Sequence, residues 1–165
     1  MKFTFLVLSF FIVSLELDIG DVRNNYKDAV ISKSKTFSLN EDLKEVTKND
    51  DQRFVAYKGA VKALTAKYQK GAKLKGATFK DGVQWIEYAV AQNALDIEIR
   101  FVRLSVQQNS PKFLGYNNDI ELDKKFILKH FNQIKSSKLK EYLKGYILES
   151  ENFTEDEKNV ILAVH

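Results

Sequence analysis

Three features of this chain predict an all-α fold of seven or eight helices stacked as antiparallel hairpins. Apolar residues recur at steps of three and four, helix breakers are scarce, and no stretch alternates in the manner of a strand. One Pro and seven Gly occur in 165 residues, while Lys, Leu, Glu, Gln and Ala fill the periodic segments. The length suits one domain, and the 44% hydrophobic and 12% aromatic fractions supply the apolar surface a packed core needs.

Taken in order, Val22, Tyr26, Ala29 and Val30 sketch a first helix, with Ser32 to Thr36 marking its end. Ser38 with Glu41 reads as a capping box that starts a second helix through Leu39, Leu43 and Val46 to about Lys48. Phe54, Tyr57, Val61, Leu64 and Tyr68 make a long third helix, bordered by Gly59 and several Ala. Gly71 and Gly76 bracket a predicted loop, after which Thr78 and Asp81 cap a fourth helix carrying Phe79, Val83, Ile86 and Val90. Asp96 caps a fifth, in which Ile97, Phe101, Leu104 and Gln108 form one face. Ser110 to Asn118 holds the single Pro and is the longest loop.

The sixth helix carries Ile120, Phe126, Ile127, Phe131 and Ile134, and the seventh Leu139, Tyr142, Leu143, Tyr146 and Ile147, separated by Ser136 and Ser137. Thr154 with Glu157 is a further capping box, opening a last helix with Val160, Ile161 and Val164. The expected core is Phe54, Tyr57, Val61, Leu64, Phe79, Val83, Ile86, Val90, Phe101, Leu104, Ile127, Phe131, Leu143 and Ile147, the residues that hold the apolar stripes.

Residues 1–20 read as a secretory signal segment and 21–165 as a single all-α domain. Lys2 precedes an almost unbroken apolar run from Phe3 to Leu15, which is basic at its start and shorter than the roughly 20 residues a spanning helix needs. Export to a periplasmic or secreted location follows, with no stable membrane span after removal of the signal. The alternative is a cytoplasmic protein with residues 1–20 as a buried helix.

The spacing Gly82, Ile86, Ala89, small then large then small, resembles the second helix of a tetratricopeptide repeat. Phe101, Leu104 and Ser105 are similar to the opening of a following unit, and Gly59 takes a comparable place in the third helix. The chain departs from the pattern at Lys58 and Lys62, where the family has Leu and Tyr, and at Ala94, where it has a helix-ending Pro. The resemblance covers about residues 55–108. It implies a protein-interaction scaffold with a concave face and no catalysis of its own.

Residue types narrow the chemistry further. The chain has no Cys, which removes thiolate metal sites and a nucleophilic thiol, and its two His, at 130 and 165, form no ligand pair. No metal site and no cofactor are expected. Carboxylate pairs at Glu41 and Asp42, Asp50 and Asp51, and Glu155 to Glu157 fall at predicted helix starts, where negative charge complements the dipole. Gly71 and Gly76 flank Lys73 and Lys75 without the strand or the G-K-[ST] ending of a phosphate loop. Asn152, Phe153 and Thr154 match a glycosylation sequon whose Thr is already assigned to capping. Trp85, the sole Trp, stands off the main stripe of its helix beside Tyr88.

One charge feature stands out. Arg53 to Lys80 holds eight basic residues and no acidic one, against +4 for the whole chain, so the remainder is net acidic. Lys58, Lys62, Lys67, Lys70, Lys73 and Lys75 are the anion-binding candidates, with Lys70, Lys73 and Lys75 expected in a loop after the third helix. The leading functional expectation is a non-enzymatic exported helical scaffold whose partner is another protein. The alternative is an anion-binding module for an acidic glycan, a lipid surface or nucleic acid.

Overall fold

The computed structural model describes residues 17–163, and all regular structure within them is helical. The N-terminal apolar run lies outside the described residues, and so does the export reading that rests on it. The helices are α1 (Ile19–Ile31), α2 (Lys33–Asp42), α3 (Gln52–Thr65), α4 (Ala72–Gln92), α5 (Ile97–Asn109), α6 (Ile120–His130), α7 (Ser137–Glu149) and α8 (Glu155–Leu162). Single 3-10 turns at Ala66–Tyr68, Lys112–Leu114 and Phe131–Gln133 extend or link them. None of the described helices is long and apolar enough to cross a membrane.

Short polar side chains set the starts. Asp18 accepts from the Asp21 amide at 3.1 Å, Asp96 from the Glu98 and Ile99 amides at 2.8 and 3.1 Å, and Ser136 from the Leu139 amide at 3.3 Å. At α8 the Thr154 and Glu157 box is complete in both directions.

Four predicted boundaries move. The second helix is capped by Ser32, which also ends α1, so Ser38 lies within α2 rather than before it. The reason is Thr36, fully buried, whose hydroxyl is within hydrogen-bond range of the Ala29 carbonyl at 2.7 Å and the Ser32 carbonyl at 3.0 Å. That contact satisfies the end of α1 and turns the chain straight into the next helix. α2 then stops at Asp42, and buried Leu43 and Val46 pack from the connection that follows.

The fourth helix starts at Ala72, not near Thr78. Gly71 makes the reversal alone at φ +82°, a conformation open to glycine, and Gly76 sits inside the helix. The sixth helix is shorter than its apolar pattern, ending at His130, whose Nδ1–H donates to the Phe126 carbonyl at 2.8 Å; Ile134 follows in extended backbone.

α3 and α5 form the centre. Eight residues of α3 and nine of α5 are buried. α3 and α4 are the most extensive pair, and their backbones touch at Gly59 and Gly82. A Cβ on Gly59 would lie 2.6 Å from the Gly82 carbonyl oxygen, and one on Gly82 would lie 2.5 Å from the Ala63 nitrogen. The two glycines thus set a close helix crossing that no larger residue permits. Of the expected core residues, Phe54, Leu64, Phe79 and Val83 are only partly buried, while the rest are inside. Leu64 and Phe79 are partly open because they line a cavity.

Candidate functional site

The polar side chains of α5 point inward, which periodicity alone does not anticipate. Glu98, 1% exposed, accepts from Arg23 Nε and Nη2 at 2.8 and 3.0 Å and from the Tyr57 hydroxyl at 3.0 Å, joining α1, α3 and α5. Asp123 of α6, fully buried, accepts from Arg103 Nε at 2.7 Å, Arg103 Nη2 at 2.8 Å and Arg100 Nη1 at 2.9 Å. The Tyr116 hydroxyl donates to Glu87 at 2.5 Å, and Glu87 also meets Arg103 at 3.1 Å. Each buried carboxylate is spanned by an arginine fork, an arrangement suited to orienting helices rather than to moving protons. Among the described residues no group of three or more His, Asp or Glu is placed to hold a metal ion.

A second region lies beyond the glycine crossing, toward the C-terminal end of α3. There α3 passes into its 3-10 turn, α4 begins after Gly71, and the end of α5 with the Pro111–Leu114 turn closes the third side. They enclose a cavity of about 440 Å³. Ala60, Ala63, Leu64, Ala66, Val106 and Phe79 supply apolar wall, with exposed Pro111 and Phe113 at the mouth.

Tyr26 and Ser105 lie deep in it, 3% and 5% exposed, their hydroxyl oxygens 3.2 Å apart. Ser105 also donates to the Val102 carbonyl at 2.8 Å, so Tyr26 donates to Ser105 and both donors are used within the wall. Burial pushes the Tyr26 phenol up to about 12. It raises Tyr57 as well, with the Glu98 charge adding to the effect. Tyr26 and Tyr57 pack edge to face at 5.4 Å, so the cavity wall is continuous with the Glu98 network.

The basic segment is divided between two places. Lys58 donates to the Lys44 and Val46 carbonyls at 2.7 and 2.5 Å, fastening the connection after α2. Burial and the neighbouring Lys62 lower its pKa. Lys62 pairs with Asp81 at 2.5 Å, and Lys48, Lys58 and Lys62 all lie over the half-buried Trp85 ring at 5.7, 4.7 and 5.7 Å. These lysines hold helices together.

Lys67 and Lys75 instead line the cavity, and no Asp or Glu does. Lys67 gives one hydrogen bond, to the Val30 carbonyl at 3.2 Å. Lys70 precedes Gly71 and is exposed, while Lys73 and Lys75 are exposed in the first turn of α4. The loop expected around Lys73 and Lys75 is therefore helix, and the two charges stand at an N-terminal end, where the dipole is unfavourable to them.

The sequence pattern missed the cavity because its lining comes from four separate stretches of the chain. The one available signal was the run of alanines at 60, 63 and 66, small side chains that leave room beside them. No protein-family model, curated protein or solved structure matches the chain.

Proposed function

We propose that this chain is a non-catalytic binding domain and that its site is the cavity between α3, α4 and α5. The observation that carries the reading is a lining built mainly of carbon, with the deepest hydroxyls already bonded to each other and to the backbone. Such a space favours a ligand with an apolar body, and its volume falls within the roughly 300–1,000 Å³ usual for small-molecule sites.

Nile red, an uncharged dye that brightens in apolar surroundings, tests it. Saturable one-to-one fluorescence is expected, and Ala66→Phe, which fills the cavity from its wall, should abolish it with little change in thermal unfolding. No saturable signal, or an undiminished one in the variant, removes this reading.

A second reading keeps the exported scaffold for a protein partner that the sequence led with, of tetratricopeptide-like character. It is favoured by Phe113, 86% exposed at the mouth, and Leu74, half exposed on the first turn of α4. Under that reading Leu74→Ser, outside the cavity lining, would weaken capture of a partner protein from the extracytoplasmic fraction while leaving dye binding intact.

A further inference from the structure

We infer that the ligand class of the cavity is a single-chain amphiphile with an anionic head, its chain inside and its head between Lys67 and Lys75. The inference rests on the binding-site reading above and adds the chemistry and orientation of the occupant. Polarity along the cavity decides the orientation. At the deep end, Tyr26 and Ser105 have both hydroxyl protons committed, so a polar head placed there would give up water without recovering those donors. At the mouth, Lys67 and Lys75 are exposed. The Lys75 ammonium has no hydrogen-bond or ion-pair partner among the described residues, and Lys67 uses one of its three protons on the Val30 carbonyl.

The sign of the head follows from the surroundings. No acidic residue lines the cavity, and none lies in the sequence between Asp51 and Asp81. Asp81 is taken by Lys62 on the part of the segment that faces Trp85. Lys70 and Lys73, close by in sequence, add to the positive field. A carboxylate or a phosphate monoester satisfies this end equally, and the apolar wall accepts an alkyl chain without demanding a particular shape.

The test is calorimetric titration of the full chain with dodecanoate, dodecyl phosphate and the uncharged dodecanol, each below its micelle concentration. Both anions are expected to bind one to one, about tenfold more tightly than dodecanol, and the difference should shrink with added salt. Lys67→Met with Lys75→Met keeps the aliphatic stems and should remove that advantage, read as the ratio of anion to dodecanol affinity falling to about one. Lys75→Met alone, which disturbs no internal bond, should remove part of it. Dodecyl phosphate binding without dodecanoate would narrow the class to phosphate heads, and the reverse to carboxylates, each supporting an anionic head. Equal affinity for dodecanol and the anions overturns the inference while leaving the apolar site intact. Absence of binding by all three, together with no Nile red signal, overturns both.

Discussion

The two ends of the α3–α4 pair differ in what a lysine does. At the closed end the backbones touch at Gly59 and Gly82, and Lys58 and Lys62 are absorbed by carbonyls, Asp81 and the Trp85 face. At the open end the same two helices line a cavity, and Lys67 and Lys75 stand at its lining with little or nothing to bind. Residues of one type, a few turns apart, thus become fasteners or an available charge according to what the fold places around them. Composition cannot distinguish the two.

The Glu98 network behind the cavity wall should be the easiest part of this core to break. Glu98→Ala leaves the Arg23 guanidinium buried without its carboxylate and is expected to cost about 3–5 kcal/mol, read by urea denaturation. A restored stability in Glu98→Ala with Arg23→Met would show that the loss came from the stranded charge.

Alkaline pH should act on the same wall. The Tyr26 phenol is raised from 10.0 to about 12, so the folded state holds that proton more tightly than the unfolded chain. Its contribution is fully present below pH 10 and is lost as pH rises toward about 12, amounting to roughly 3 kcal/mol from this residue. Thermal unfolding between pH 8 and about 12 should show the decline, and Tyr26→Phe should flatten it. An unchanged slope in the variant would place the loss elsewhere.

Gly82→Ala presses a methyl against the Ala63 backbone and is expected to cost about 1–3 kcal/mol, whereas Gly76→Ala, with open space around it, should stabilise α4 by a few tenths to about 1 kcal/mol. If the two substitutions were equivalent, the crossing would not depend on Gly82. The smallest effect belongs to the open end. Lys73→Glu replaces a positive charge by a negative one in the first turn of α4 and should raise stability by about 0.3–1 kcal/mol, measurable as a small rise in melting temperature that salt diminishes.

By itself the sequence determined the all-α class and most of the core. Each depends on local periodicity, and the Asp96 and Thr154 caps act within a single turn. The pairing of Gly59 with Gly82 was half visible as small residues on two helices, because close packing demands small side chains wherever it occurs. Local signals misled where two patterns competed. Ser38 with Glu41 and Thr78 with Asp81 have capping spacing, yet Thr36 and Gly71 set the actual starts, through a hydroxyl contact back to the end of α1 and a positive φ. Tertiary structure alone decided that Glu98, Arg103 and Asp123 face inward, since a charged residue enters the core only when a partner from another helix meets it there. It alone also sorted the lysines, because a cavity exists only where several segments fail to meet, and that failure is a property of no single one of them.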